Sequence, residues 1–296
     1  MLKIVSYLVI FGYFFLIGVD YAMGVTADIR FTYRNGYTYD KELQVGWENI
    51  AKDLQNQIAL HPENAELHYS LATLYWEYHP EQVQNQLEKV IQLNPTHAKS
   101  YFLLGMVRLL DNDKDLDQFQ AYMKKAIQAD PHYVNAYNTL AIVNYGTDKI
   151  EEAIAILEQG KIQMPREESF YFNQALIFIV KEQYEPAIKN LEKLITLNAT
   201  DQEFHYVAGI AYKKLGESVK ARKAMEQVIR LDPKNVYGLL LIATTFKEEN
   251  DWEKAFDFVE RARKIAPKDA KVLAELQEYQ EAYENWKKEK GKVNKE

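Results

Sequence analysis

The chain of 296 residues contains no cysteine. This absence excludes disulfide bonds, thiolate metal sites and a lipidated cysteine anchor. Basic residues are outnumbered, because 36 lysines and arginines face 43 acidic residues and give a net charge of −7. No glycine-rich phosphate loop, nucleophile elbow or zinc motif occurs, and no basic patch marks a nucleic-acid face. We therefore predict no enzyme activity, no cofactor, no metal site and no nucleic-acid partner.

Proline is also scarce, with eight in the chain, but six of them are regularly spaced. They are Pro62, Pro95, Pro131, Pro165, Pro233 and Pro267. Successive members are 33, 36, 34, 68 and 34 residues apart, so one member is missing near Ala199. Proline ends helices because it lacks an N–H and disfavours a helical residue before it. A fixed period near 34 residues is typical of a helical repeat array.

The units between prolines share a pattern of small residues. Counting the third residue after each proline as position 1, the six units start at Ala65, Ala98, Val134, Glu168, Gln202 and Val236. Position 8 is small in every unit, namely Ala72, Gly105, Ala141, Ala175, Gly209 and Ala243. In the last four units position 20 is alanine and position 24 is large and apolar. Small residues at fixed offsets allow two helices to approach closely, and large ones fill the seam.

This pattern resembles the tetratricopeptide repeat family over about residues 44–287. The unit Gln202–Pro233 matches best, with Gly209, Tyr212, Gly216 and Ala221 in the expected places. The resemblance implies an all-α fold, a right-handed superhelical solenoid of about six helix-turn-helix repeats. The alternative is a generic helical bundle whose period is coincidental.

Some features depart from the family pattern without breaking it. Ala199 replaces one proline, the first unit is one residue short, and the second carries two extra residues around Asp111–Asp117. We expect the solenoid at residues 43–269, with a lone helix over Leu43–Leu60 before the first unit. Residues 270–296 are predicted to form a polar capping helix and tail, because open solenoid ends need a cap.

The N-terminal residues 1–27 predict an export signal or a membrane anchor. Lys3 precedes the apolar run Ile4–Val19, which Asp20 ends, and the small-residue sites Ala22-Met23-Gly24 and Val25-Thr26-Ala27 follow. This order is typical of a cleaved secretory signal. If uncleaved, residues 4–19 would be the membrane contact. Either interpretation places the repeats outside the cytoplasm, in the periplasm or an equivalent compartment. A third interpretation is a cytosolic protein with a buried apolar leader.

Residues 28–42 predict a β-hairpin extension. Asn35-Gly36 separates two alternating segments within Ile29–Asp40, which is a strong hairpin signal. A three-residue loop over residues 34–36 would place four aromatic side chains on one face. They are Phe31, Tyr33, Tyr37 and Tyr39. An isolated hairpin is marginal in water, so we expect it to dock on the chain's own first helices, to hook a partner or to mediate self-association; disorder is the alternative.

A second stripe on the first helix of each unit is the predicted partner-binding site. Positions 5, 9 and 12 line the concave groove in the family that the chain resembles. The predicted contacts are Tyr69, Phe102, Met106, Asn138, Ile142, Tyr145, Phe172, Leu176, Tyr206, Ile210 and Lys213. The stripe is mostly apolar, which favours an amphipathic helix or an apolar extended segment as ligand. Lys213, Lys214 and Lys247 could orient an acidic ligand end, but the central units lack the basic clamp of the family's chaperone-binding branch.

Two other interpretations of this stripe remain open. The chain's own hairpin or C-terminal helix would fill the groove, or the stripe would serve ordinary packing between repeats. The run Asp111–Asp117 resembles the start of a calcium loop, but Leu116 and Tyr122 stand where glycine and glutamate are needed. A solvated, helix-capping turn is the better interpretation. His68 and His205 fall at packing positions and are expected to be buried and hydrogen-bonded.

The sequence thus predicts an exported, non-catalytic scaffold that binds one or more proteins and helps to assemble a multi-subunit complex. A structural subunit that organises large enzymes into oligomers or filaments is the second interpretation. An enzyme built on a repeat scaffold is the third.

Overall fold

A computed structural model describes residues 41–110 and 115–293. In these residues the chain forms fourteen helices and no strand. The helices are α1 (Lys41–Leu60), α2 (Ala65–Tyr78), α3 (Pro80–Leu93), α4 (Ala98–Leu110), α5 (Leu116–Ala129), α6 (Val134–Gly146), α7 (Ile150–Gln163), α8 (Glu168–Val180), α9 (Tyr184–Leu197), α10 (Gln202–Lys214), α11 (Ser218–Leu231), α12 (Val236–Glu248), α13 (Trp252–Ile265) and α14 (Ala270–Val293). The predicted hairpin, with Phe31, Tyr33, Tyr37 and Tyr39, and the predicted leader lie outside the described residues.

The six predicted unit starts are confirmed. Each is the first residue of a helix, from Ala65 at the start of α2 to Val236 at the start of α12. Every unit is therefore a pair of helices, in which the first has 13 or 14 residues and the second has 14. The all-α repeat fold predicted from the proline spacing is correct. The helix after the last unit, α14, continues to Val293.

The prolines stand in a turn that repeats between units. In the turn after α5, the N–H of Tyr133 donates to the carbonyl of Asp130 over 3.1 Å. Pro131 is thus the second residue of a four-residue turn, where its fixed φ is favoured. The side chain of Asp130 also accepts from the backbone N–H of His132 at 2.9 Å. The acidic or amide residue before the proline therefore caps the turn.

The same turn forms at Ala199 without a proline. Asn198 ends α9, and its Oδ1 accepts from the N–H of Thr200 at 3.3 Å and from the Thr200 hydroxyl at 3.0 Å. The N–H of Asp201 reaches the Asn198 carbonyl over 3.5 Å. Asn94 and Thr96 make the same two hydrogen bonds beside Pro95, so this turn forms with or without the proline ring.

A second regular spacing, which the sequence analysis missed, marks the turn inside units three to six. Asp148, Glu182, Gly216 and Asn250 have φ of 64°, 57°, 78° and 58°. They follow one another at intervals of 34 residues. The residue after each one donates its N–H to a carbonyl five residues back, as in Glu217 to Tyr212 at 2.9 Å. Helices often end at a residue in the left-handed region, where glycine is favoured. Among these four repeats only the one with Gly216 has glycine at this position.

The two helices of a unit approach most closely at position 8. A Cβ added to Gly209 would lie 2.3 Å from Cε of Met225, and one added to Gly105 would lie 2.3 Å from Cε of Met123. Glycine thus pairs with methionine across the seam. Where position 8 is alanine, as at Ala141, the residue opposite is shorter, as at Leu157. The side chain opposite thus reaches less far where position 8 carries a Cβ.

The chain divides into two compact units, the first ending at Glu167 and the second starting at Glu168. Each contains three of the repeats. The first has a core cluster that includes Trp47, Leu71, Tyr75 and Leu87. The second has one that includes Leu240, Val259, Val272 and Tyr279. The proposed domain limits at residues 27, 42 and 269 stay predictions.

We predict that Glu182→Gly stabilises the protein and that Gly216→Ala destabilises it. A non-glycine residue in the left-handed region is strained, so each change should alter the free energy of unfolding by about 0.5–1 kcal/mol. A Cβ at Gly216 would meet no atom within 4 Å, so its effect is conformational and not steric. Chemical denaturation of both variants checks this, and equal stability of all three proteins would contradict it.

Candidate protein-binding surface

The first helix of each repeat has two distinct faces, which α6 shows most clearly. Positions 4, 8 and 11 of that repeat, Tyr137, Ala141 and Asn144, are buried. The next stripe, positions 5, 9 and 12, is half-buried and comprises Asn138, Ile142 and Tyr145. Ala141 holds the position at which Gly105 and Gly209 approach the second helix of their own repeats. Oδ1 of Asn144 accepts from Nε2 of Gln120 on α5. The half-buried stripe is therefore what a ligand could reach.

Six predicted contacts lie in the first compact unit, which ends at Glu167, and they differ in exposure. Phe102 and Met106 are buried. Tyr69, Asn138, Ile142 and Tyr145 are half-buried. Two of the six therefore pack within the protein, as one of the alternatives anticipated, and four retain surface. The partner-binding role of all six stays a prediction.

Aromatic rings connect neighbouring repeats along this stripe of the first unit. The ring of Tyr69 lies 4.7 Å from that of His97, and Phe102 meets Tyr133 edge-on at 5.5 Å. Burial, with a smaller contribution from Tyr69, raises the pKa of Tyr133 to about 12. Burial lowers the pKa of His97 and outweighs the opposing effect of Glu66, whose carboxylate lies 3.5 Å from Nε2, which favours the neutral imidazole at pH 7. The surface here is therefore aromatic and carries no histidine charge.

His97 and Tyr133 were missed by the sequence analysis. Both occupy the residue just before position 1, His97 before Ala98 and Tyr133 before Val134. The period contained a signal for them, because aligning that position would have shown two aromatic rings in adjacent repeats. The helix-based stripe did not include them because they precede the helix.

The five predicted contacts in the second compact unit, which starts at Glu168, also divide into buried and half-buried residues. Phe172 and Leu176 are buried, whereas Tyr206, Ile210 and Lys213 are half-buried. Phe172 packs against Phe204 with 5.4 Å between ring centroids. Phe172 and Leu176 thus form a buried apolar layer beneath the half-buried residues, which we call the floor. The partner-binding role of the five residues stays a prediction.

A second aromatic side chain lies beside Tyr206. Burial and then the neighbouring Tyr237 raise the pKa of Tyr206. Tyr237 is 49% exposed, and the ammonium of Lys271 lies 5.1 Å from the centre of its ring. Tyr237 sits at position 2, one turn before the stripe, and was not among the predicted contacts. It extends the accessible aromatic surface of this unit.

The lysines at position 12 are engaged with the following repeat. Lys213 forms an ion pair with Glu248, which also accepts a hydrogen bond from Ser218. Lys247 pairs in the same way with Glu278. Burial pushes the pKa of Glu248 upward, but the hydrogen bonds from Lys213 and Ser218 outweigh it, so the pKa is lowered. A ligand would have to compete with these glutamates for either lysine.

The histidines at position 4 are buried and hydrogen-bonded, as predicted. Nδ1 of His68 lies 2.9 Å from Oε1 of Gln86, and Nε2 of His205 lies 2.9 Å from the carbonyl of Ala199. Asp115 caps α5 by accepting from the N–H of Gln118 at 2.9 Å, whereas residues 111–114 lie outside the described part. Among the described residues, no three histidines or carboxylates are grouped to hold a metal ion.

Comparison with known families agrees with this geometry. Three family models described as tetratricopeptide repeat match residues 113–171, 168–201 and 202–235. The last two matches begin at Glu168 and Gln202, which are the first residues of α8 and α10. Residues 113–235 therefore consist of tetratricopeptide repeats. Proteins with such repeats are generally non-catalytic scaffolds for protein–protein interactions.

Curated relatives are distant and longer. The chain is 24% identical over 196 residues to the BBSome complex member BBS4 homolog of Drosophila melanogaster, which covers 66% of this chain and 38% of that protein. It is 23% identical to the protein O-mannosyl-transferase TMTC3 of Homo sapiens, over 74% of this chain and 24% of that protein. The tetratricopeptide repeat chain thus spans about a quarter to two fifths of the length of these relatives.

Solved structures show the same fold. YrrB, described as a tetratricopeptide repeat protein with an unusual peptide-binding site, is 21% identical with a TM-score of 0.53, over 64% of this chain and 96% of that one. The C-terminal part of a repeat protein from Cytophaga hutchinsonii is 14% identical with a TM-score of 0.66, over 78% and 95%. In the described residues, no helix combines the length and apolarity that crossing a bilayer requires.

We predict that Lys213→Met raises the pKa of Glu248 towards the ordinary value of 4.5. Removing the ammonium removes a hydrogen bond and a charge that favour the ionised carboxylate. A carboxyl NMR titration measures the change. Lys214→Met is the matched control, since Lys214 is exposed and adjacent. An unchanged pKa of Glu248 in Lys213→Met would show that Lys213 is available to a ligand.

Proposed function

We propose that this tetratricopeptide repeat protein binds a partner protein through the half-buried stripe of its first helices. The observation that supports this is the pairing of a buried apolar floor with half-exposed aromatic and aliphatic side chains. Phe102 and Met106 form the floor in the first unit and Phe172 and Leu176 in the second. A ligand that covers the stripe would bury apolar surface without unfolding the floor.

The contacts that a partner would reach are the half-buried members of the stripe. In the first unit these include Tyr69 and Tyr145, and in the second Tyr206 and Ile210. Tyrosine is favoured at interfaces because its ring is apolar, its hydroxyl remains hydrogen-bonded and it has few rotatable bonds. Truncating such an anchor commonly costs about 2 kcal/mol or more of binding free energy.

The ligand that fits this surface is an amphipathic helix or an apolar extended segment. Recognition of a terminal carboxylate would need basic side chains that are not already neutralised, but Lys213 and Lys247 are paired with Glu248 and Glu278. The predicted contacts of the first compact unit are tyrosine, phenylalanine, methionine, isoleucine and asparagine. The solved relative YrrB, whose fold this chain shares, is described as having a peptide-binding site, and we propose a peptide-like ligand here.

We further propose that the partner belongs to a multi-subunit complex that this protein helps to assemble outside the cytoplasm. The Drosophila relative is named as a member of a complex. Export is supported by the order of Lys3, the apolar run over residues 4–19 and the small-residue sites up to Ala27. No catalytic step is part of the proposal.

The binding proposal predicts a loss of affinity in two double variants. A partner is first identified by co-purification from the native source and mass spectrometry. Tyr69→Ser with Tyr145→Ser, and Tyr206→Ser with Ile210→Ser, are then titrated against it by calorimetry. At least one pair should weaken binding by about 30-fold or more, since two interface anchors are removed. Circular dichroism should show unchanged helicity, because the altered side chains lie on the surface and not in the floor.

Ile162→Ser is the matched control for this experiment. Ile162 is 76% exposed but lies on the second helix of its repeat, α7. Its replacement should leave affinity unchanged. Binding that survives both double variants, or that is lost in Ile162→Ser, would contradict the proposed surface.

The export proposal predicts the location and mass of the protein in its host. Subcellular fractionation should recover it outside the cytoplasm, and intact-mass analysis should show that the chain starts between residues 25 and 28. Recovery in the cytoplasm with residues 1–27 attached would contradict export. That result would not contradict the binding proposal, which does not depend on cellular location.

A further inference from the structure

The second helix of every repeat presents the same three positions to the first. They lie twelve, eight and five residues before the turn residue, which is proline or Ala199. In the six repeats all eighteen of these residues are buried: Val83, Leu87, Val90, Phe119, Met123, Ala126, Ala153, Leu157, Gly160, Ala187, Leu191, Leu194, Ala221, Met225, Val228, Ala255, Val259 and Ala262. A helix that ends at this turn therefore requires a partner on that face.

Helix α1 ends at the same turn but has no preceding helix in the described residues. Its equivalent positions are Ile50, Leu54 and Gln57, counted back from Pro62. Ile50 is 53% exposed, Leu54 is half-buried and Gln57 is exposed. Leu60, two residues before the turn, is 75% exposed, whereas its counterpart Leu231 is 38% exposed. Among the described residues this face of α1 is thus covered only at Leu54, which packs against the core cluster of the first compact unit.

The adjoining side of α1 is packed against the helices that follow it. Trp47 and Ala51 are buried in the core cluster of the first unit, and Ile58 packs against it. The ring of Trp47 lies 4.9 Å from that of His79. Helix α1 is therefore a fixed part of the fold, and its apolar face is an open end of the array, which repeat proteins generally cap.

We propose that residues 28–40 of the same chain cover this face of α1. The segment joins α1 directly at Lys41 and contains Phe31, Tyr33, Tyr37 and Tyr39. Its sequence favours an extended hairpin and not a helix like the first helix of a repeat, because Asn35-Gly36 breaks helices and favours a turn. Such a hairpin is stable only if its apolar face is buried, and α1 offers an apolar face at the point where the segment begins.

The lengths are compatible. A helix rises 1.5 Å per residue, so Ile50 lies about 14 Å and Leu54 about 20 Å from the start of α1 at Lys41. A hairpin arm of five residues spans about 17 Å. One arm therefore reaches Ile50 and approaches Leu54 without leaving the helix. Residues 28–40 are retained whether or not the predicted leader is removed.

The absence of cysteine allows a direct test of this docking. Ile50→Cys and Lys52→Cys each introduce a single thiol in the full chain, the first on the uncovered face and the second, exposed, on the far side of α1. The rate of reaction with a polar thiol reagent is measured for both. We expect the thiol from Ile50→Cys to react at least 10-fold more slowly than that from Lys52→Cys.

Replacing Phe31, Tyr33, Tyr37 and Tyr39 together by serine should remove that difference. These positions lie outside the repeats, so helicity should be unchanged. Equal reactivity of the two thiols in the unaltered background would overturn the proposal, since it would show an uncovered face. Protection that depends on protein concentration and persists in the serine variant would overturn it too, because a second copy would then be the occupant.

A photo-crosslinker attached through Ile50→Cys identifies the occupant independently. Peptide mapping by mass spectrometry should find a crosslink within the same chain to residues 28–40. Crosslinks to another segment, or only between chains, would contradict the proposal. The experiment needs no partner protein and no particular cellular location, so its outcome is separate from that of the proposed function.

Discussion

The close approach of two helices within each repeat is the contact on which the rest of the structure depends. It requires a small residue at position 8 and a large apolar side chain opposite. Gly209 with Met225, and Ala141 with Leu157 at the equivalent positions, are two pairs of residues that allow this approach. Because protein interiors are closely packed, a Cβ at position 8 requires that the side chain opposite reach less far. This contact fixes which face of each first helix is buried and which remains accessible.

The accessible stripe follows from that geometry. Residues one position beyond the buried stripe are rotated by about 100° around the helix, so they face the neighbouring repeat and the solvent together. Phe102 and Phe172 are buried there by the neighbouring repeat, whereas Tyr145 and Tyr206 keep accessible surface. The same stripe thus stabilises the array and offers an aromatic surface. Helix α1 illustrates the opposite case, since no helix precedes it among the described residues and Ile50 is 53% exposed.

The sequence predicted the period, the first residue of all six repeats and the all-α fold, because proline and small residues report on local constraints. It did not predict the turn through Asp148, Glu182 and Asn250, since only Gly216 in that series has the residue type that signals a left-handed turn. The ion pair of Lys213 with Glu248 was also missed. It joins residues 35 apart, and their meeting depends on how one repeat rotates against the next. Nor could the sequence separate buried Phe172 from half-buried Tyr206, which occupy equivalent positions.

The central claim is that partner proteins bind the first-helix stripe. Hydrogen–deuterium exchange of the purified protein, with and without the partner identified by co-purification, tests it most directly. Binding should slow exchange in the first helices of one or both compact units, such as α4 and α6 or α10 and α12. The second helices, such as α7 and α11, should be unchanged. Protection confined to the second helices would contradict it.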